Sequence, residues 1–528
     1  MTLSEIRNGA TRVTPLLVLL AMFLLLAPQA AFAHAKLLRS EPKAKSSLPR
    51  PPQAIELWFS AELEAGFNTI EVKDERGGRF DRGEVTLEEG GRKARVELHD
   101  LPAGNYTVEW KALSSDEHTL RGKFTFTVAA SAAATTVTGA TQPPQDSHAS
   151  MSEQATPAPA GGQDTTAIEG VGGEEGSALN ATDSLVRWLG YLAMMTLLGG
   201  FASRLFVLGP ALHEARADDP ETAGQASGAA SRRSVLLFRV SVAALILSIL
   251  TALVFQSAAV HGVGLGGALS PSRLGGVITS TGYGKSWLVQ VAAAAALLII
   301  IALLGRAVNR NPEGEHKGLW WVGLAASALL MAGPSLTGHA AVAAKHFRLA
   351  VVSDWLHLVA GGVWVGGLFH LALTLPRALS VFDGERRARA LGRVISLFTR
   401  MVLPGVAVLT LAGIYNAYAH LGGVRALWVT PYGLTLAAKL VLVLAMLVLG
   451  AVNGFRFGPR TRRLSGDEAG RAGVERGFSR SVKVEAALGV LVLLTSAFLV
   501  FISPGRNHES MSAGGKGQPP GAAVTRTN

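Results

Sequence analysis

Cysteine is missing from all 528 residues of the chain. Its absence removes disulfide bonds, iron–sulfur clusters, thiolate metal sites and thiol catalysis. Any metal chemistry must rest on His, Met, carboxylates or the chain's own α-amine. Charge is scarce too, at 16% Asp, Glu, Lys and Arg against 49% hydrophobic residues. That balance points to long apolar runs rather than a large soluble core. The net charge of +11 forms no basic patch on a soluble segment. Lys and Arg sit mostly between apolar runs, so the excess reads as a topology signal and not as a nucleic-acid footprint. No G-x-x-x-x-G-K-S/T loop occurs, so no nucleotide-driven step is indicated.

What is present divides the chain into five parts. Residues 1–33 read as a secretory signal: Arg7 and Arg12 are followed by an apolar run from Pro15 to Ala27 and an A-x-A site at Ala31-Phe32-Ala33. Cleavage there leaves His34 as the first residue; an uncleaved anchor is the alternative. Residues 34–128 carry short alternating runs at Ile55–Phe59, Thr69–Val72, Arg95–Leu98, Tyr106–Trp110 and Phe124–Val128, separated by Gly-rich turns. This pattern predicts an all-β sandwich. Residues 129–182, rich in Ala, Thr, Gly and Pro, read as a disordered linker. Residues 183–503 hold eight apolar stretches, each near the ~20 residues that cross a bilayer as a helix. Residues 504–528 read as a disordered tail.

The topology can be tested against charge. A cleaved signal places the β-domain outside, so loops after odd-numbered spans should be cytoplasmic. Those loops hold eighteen Lys and Arg, and the opposite loops hold four. The positive-inside rule therefore agrees with cleavage and with eight spans. The chain is expected in the cytoplasmic (inner) membrane as a multi-pass protein, with its β-domain extracytoplasmic.

Cleavage also has a chemical consequence. The free α-amine of His34 and its imidazole Nδ1 can chelate one metal ion. With an ordinary pKa of about 7.7–8.0, the amine yields its proton to metal near neutral pH. Nitrogen donors in a square plane suit Cu(II). Asp116-Glu117-His118 can complete the set. Alternate residues of an extended segment point the same way, about 6–7 Å apart, so Asp116 and His118 can close on one ion while Glu117 points away. Taken alone, D-x-H is as readily a turn before Arg121-Gly122; a His at the cleavage point gives it weight. His99, in a turn before Asp100-Leu101-Pro102, reads as structural.

On these residues, 34–128 resembles the CopC family of periplasmic copper-binding proteins. The resemblance runs through His34-Ala35, Ser40-Glu41-Pro42, Leu57-Trp58-Phe59-Ser60, the stretch from Leu101 to Trp110, Ser115-Asp116-Glu117-His118 and the stretch from Gly122 to Val128. It implies an immunoglobulin-like sandwich or barrel with a Cu(II) site at His34, Asp116 and His118. Some members add a Met-rich Cu(I) site. Residues 34–128 contain no Met, so this domain should hold Cu(II) only.

Polar residues within spans are costly and therefore informative. His261, His339, His346 and His420 fall at outer ends of spans, His357 about two turns into the fifth and His370 deeper. His357 and His370 lie about 19–20 Å apart along a helix; they cannot share an ion but can be successive stations. Asp354 shares a helix face with His357 and is expected to orient its imidazole. Gly361, Gly362, Gly366 and Gly367 should admit another helix closely. Met194, Met195, Met331, Met401 and Met446 offer thioethers to Cu(I), although a Met in a span is more often apolar filling. Lys439 should snorkel outward, and Glu485 should pair with Lys483 or Arg480.

Residues 183–503 resemble the CopD family of copper-resistance membrane proteins, most clearly at Gly338-His339-Ala340, Asp354-Trp355-Leu356-His357-Leu358, Gly361–Gly367, Tyr432-Gly433 with Lys439, and Gly450-Ala451-Val452-Asn453. The fused order resembles bacterial CopC–CopD proteins of copper uptake. The resemblance implies Cu(II) capture outside and copper uptake; the polar residues of the spans then make His339, His346, His357 and His370 the candidate membrane path, with Cu(I) in transit if reduction occurs. The expected partners are the copper ion, the lipid bilayer and a copper chaperone or reductase; no nucleic acid and no enzymatic step are expected. Two other chemistries stay open: a copper-dependent redox enzyme, and membrane electron transfer through a His-ligated haem.

Overall fold

The computed structural model describes residues 37–114, 119–129, 174–337, 347–421, 423–457 and 468–500. They form a β unit and a helical unit.

The β unit has eight strands: β1 (Leu37–Glu41), β2 (Ser47–Leu48), β3 (Ala54–Phe59), β4 (Thr69–Asp74), β5 (Asp81–Glu88), β6 (Lys93–Leu98), β7 (Gly104–Leu113) and β8 (Thr119–Val128). They make two four-stranded sheets, ordered β1-β3-β6-β5 and β2-β8-β7-β4. All pairings are antiparallel except β2 with β8. The alternation of apolar residues drives this arrangement: Ile55, Leu57, Phe59, Val72, Val96, Val108 and Phe126 turn inward and are buried. Trp110 meets Phe59 edge to face, with centroids 5.3 Å apart. Its ring also lies where a Cβ on Gly122, its register partner, would sit only 2.6 Å away. β5 is not among the runs predicted from alternation, because as an edge strand it is largely exposed. It is anchored by Asp81, whose carboxylate accepts from the Val72 N–H at 2.9 Å and from the Arg79 guanidinium at 2.8 Å.

Among the described residues the helical unit has eight helices long and apolar enough to cross a membrane: α1 (Thr182–Ala215), α2 (Pro220–His261), α3 (Gly282–Arg310), α4 (Lys317–Leu336), α5 (Leu349–Leu379), α6 (Gly384–Tyr418), α7 (Pro431–Phe455) and α8 (Gly473–Leu499). Helical backbone begins at Glu174, inside the segment whose composition reads as linker. α1 is the central element: 78% of its apolar window is buried within the protein, against 17% for α6 and 11% for α7.

Glycines bring α1 and α5 into backbone contact. A Cβ on Gly199 would stand 2.1 Å from the Gly367 nitrogen, and one on Gly366 would stand 1.7 Å from the Met195 carbonyl. The close approach expected for the α5 glycines is therefore made with α1. Among the described residues three π-helical turns occur in the spans: Arg204–Leu208 in α1, Gly362–Gly366 in α5 and Asn453–Phe457 at the end of α7.

Two stretches predicted as loops, 209–234 and 375–394, are largely helical. α2 starts at Pro220, where the N-cap Asp219 accepts from the Thr222 N–H at 3.0 Å. Ala223, Ala226 and Ala230 pack with Leu375, Leu379 and Ile395. Several of the loop arginines are paired, among them Arg386 with Asp219, Arg387 with Glu475, and Arg393 with Glu214 at 2.6 Å. Charge mixed with Ala hides this helical extension from a hydropathy window.

Candidate functional site

Three buried polar clusters interrupt the apolar bundle. The first lies at its charge-poor end, where α4 finishes and α5 begins. Asp354 accepts from Ser335 Oγ at 2.8 Å and from Asn416 Nδ2 at 3.5 Å. Ser353 Oγ donates to Asn416 Oδ1 at 3.2 Å. One turn further along α5, His357 Nδ1 is 3.2 Å from the Leu409 carbonyl. A carbonyl only accepts, so Nδ1 carries the proton and Nε2 keeps its lone pair. The orienting partner is thus Leu409 rather than Asp354. Gly413 leaves room for the ring: a Cβ there would come 3.4 Å from His357 Cε1. Lys439 of α7 lies within Coulombic reach of both Asp354 and His357, and Tyr432 within reach of Asp354. Lys439 therefore faces this cluster.

The second cluster surrounds His370, which is fully buried. Its Nε2 is 2.8 Å from Ser234 Oγ. Ser234 gives its one hydroxyl proton to the Ala230 carbonyl at 2.8 Å, so the imidazole donates through Nε2. Nδ1 then holds a buried lone pair with no hydrogen-bond partner. Phe238 stacks on the ring at 5.9 Å, and Gly200 closes against its Cδ2. Nearby, Arg204 in the α1 π turn is buried, donates to Ser227 and Ser231, and places its guanidinium 5.3 Å from the Trp320 ring centroid.

The third is Glu485 in α8, which is 2% exposed. Trp364 Nε1 donates to its Oε1 at 3.3 Å and Asn453 Nδ2 to its Oε2 at 2.9 Å. The pairing expected with Lys483 or Arg480 is replaced by these two neutral donors, because both cations sit on the exposed side of the helix.

Family models account for most of the architecture. The CopC domain matches residues 37–129. The N-terminal domain of copper resistance protein D-like proteins matches 179–349, and copper resistance protein D matches 392–499. Copper resistance protein D of Pseudomonas syringae pv. tomato is 31% identical over 233 residues, 43% of this chain and 71% of that protein. Copper resistance protein C of Escherichia coli is 32% identical over 107 residues, 19% of this chain and 83% of that protein. The chain belongs to the CopC–CopD copper-resistance family. The two parts also occur together in the copper transport protein CutJ of Bacillus subtilis, 27% identical over 482 residues, 91% of this chain and 76% of that protein.

Within this CopC–CopD chain the predicted residues divide sharply. His34, Asp116, His118, His339 and His346 lie outside the described residues. His357 and His370 lie on α5, on either side of its π turn. Among the described residues no three His, Asp or Glu side chains come together to hold an ion. Met194, Met195, Met331 and Met446 are buried in the bundle core, with the Met195 sulfur 3.3 Å from where a Cβ on Gly362 would sit. Sequence reasoning passed over Arg204, although an arginine inside an apolar run was signal enough. It also missed Ser335 and Asn416, which become informative only once three helices are seen to converge on Asp354.

Proposed function

We propose that the chain captures Cu(II) outside the cytoplasmic membrane and conducts copper into the cell. The observation that carries this reading is the domain order: a CopC domain followed by a CopD bundle, similar over 91% of the chain to a protein named for copper transport. His34, Asp116 and His118 are the proposed Cu(II) ligands, created when the signal segment is removed. Copper passes to His339 and His346 and then to the open Nε2 of His357. Met195, against the π turn, and the unpartnered Nδ1 of His370 continue the line inward. A path of this kind needs sites that bind weakly enough to release. The scattered donors among the described residues suit transit better than storage. The charge-poor end of the bundle faces outward, and no enzymatic step is assigned. Passage as Cu(I) would require an external reductase, and delivery a chaperone.

Radiolabelled copper uptake tests this. Cells expressing the chain should accumulate more copper than cells without it, inverted vesicles should lose it, and His357→Ala should return uptake towards the background. Equal accumulation with and without the chain, or net export from cells, would sink the proposal.

A further inference from the structure

Glu485 poses a problem that copper ligation does not solve. A carboxylate buried in an apolar span is costly unless its charge is neutralised. Among the described residues no cation bonds to it; both of its partners are neutral. Trp364 belongs to the α5 π turn, and Asn453 is the first residue of the α7 π turn. Two local irregularities, on different helices, thus converge on one carboxylate. Such turns recur at functional sites, because they cost regular hydrogen bonding.

Asn453 supplies the second observation. It is 7% exposed, and its Oδ1 is buried with no hydrogen-bond partner. An amide presents a donor at one end and an acceptor at the other. Nδ2 now serves the ionised carboxylate. A protonated Glu485 needs an acceptor instead, and a half-turn of the amide delivers Oδ1 to it. The orphan oxygen is the complement of the neutral acid.

Access is the third observation. A cavity of about 1220 Å³ reaches the carboxylate between α5, α6, α7 and α8, with Trp364, Gly450, Asn453 and Glu485 in its wall. A Cβ on Gly450 would come within 3.4 Å of Oε1, so glycine keeps that side open. The charged groups facing the cavity are Arg387 and Arg400 from α6 and Glu475, Arg476, Lys483 and Glu485 itself from α8; the described side chains that α5 and α7 contribute are uncharged. Arg387 is occupied by Glu475. Arg400, Arg476 and Lys483 are exposed, where solvent screens them.

We propose that Glu485 is a proton-exchange site: it takes a proton from water in the cavity onto Oε2, hands the hydrogen bond to Asn453 Oδ1, and releases the proton to the opposite side of the membrane as copper crosses. The site couples copper movement to a proton gradient. This rests on the transport reading above.

The test uses the full-length protein in liposomes, with a trapped copper indicator, a pH dye and the membrane potential clamped. Copper flux through the wild type should rise when a pH gradient is imposed, with matching proton movement. Glu485→Gln should keep a residual copper flux and lose the gradient response. Asn453→Ala should weaken that response, and Glu485→Asp should retain part of it. Wild type with no copper flux would overturn the transport reading itself. Wild-type flux indifferent to the gradient, or an undiminished response in Glu485→Gln, would overturn the proton site alone. Where a variant does not fold, infrared titration of the wild type decides: a buried carboxyl band that appears and vanishes with pH supports the proposal, and a pH-independent spectrum rejects it.

Discussion

The Leu409 carbonyl, by holding Nδ1 of His357, decides which nitrogen of that ring is left for a ligand. The same kind of reasoning gives the proposed ligand at the start of the mature β-domain. There the donor is an amine that exists only if the chain begins at His34. One extra residue before His34, or His118→Ala, should weaken Cu(II) binding by about a hundredfold or more. Competition titration against a chromophoric chelator measures it, and sub-micromolar affinity retained after the extension would remove the chelate. Asp81 carries a different residue-scale consequence. Burial pushes its carboxyl up, but hydrogen bonds from Arg79 and the Val72 N–H, together with the Arg79 charge, outweigh burial and hold it below its ordinary value of 3.8. A depressed carboxylate stabilises the fold above its unfolded pKa and stops doing so as pH falls through the folded one. The isolated β-domain should therefore lose stability as pH drops below about 4. Asp81→Asn should flatten that loss and cost about 1–3 kcal/mol at neutral pH, read by urea denaturation. An unchanged acid limb in Asp81→Asn would show that other carboxylates carry it. The β-domain suits such work because it matches 83% of a separate protein, copper resistance protein C.

Elements were legible where one physical pattern dominated. Alternation gave β3, β4, β6, β7 and β8, since both sheets bury one face. β5 escaped because its exposed edge needs a single buried anchor and no apolar row. Hydropathy gave all eight spans, yet not the Ala-rich start of α2, whose burial comes from helix-to-helix contact outside any apolar window. The glycines of α5 announced a close approach but not its partner, which a linear pattern cannot name. That partner is α1, and the contact is steep. Gly199→Ala should lower the thermal midpoint of the detergent-solubilised protein by several degrees, as overpacking costs about 1–3 kcal/mol. Gly275→Ala, with nothing within 4 Å of its new methyl, is the matched control and should leave the midpoint unchanged or raise it. A Gly199→Ala protein as stable as the control would mean that α1 and α5 yield more readily than their backbone contact implies.

At the scale of the whole molecule, the division into a β-sandwich and a membrane bundle is legible in the sequence, because alternating polar segments and long apolar runs occupy separate parts of the chain. The eighteen-to-four division of basic residues is the argument for the orientation proposed for the bundle. It said nothing of how many of those arginines are spent on ion pairs that bind helix ends together, as Arg386, Arg387 and Arg393 are. Nor did it separate buried polar residues that build clusters, such as Glu485 and Asn453, from those that merely tolerate their place; that distinction depends on partners from three helices. The central position of α1 has a consequence for how the protein is made. It is the first of the eight spans to leave the ribosome, and it packs against α8, the last. Trp188 of α1 even donates its indole N–H to the Val490 carbonyl of that final helix, 302 residues downstream. The core helix can therefore complete its native packing only once its last partner has been made.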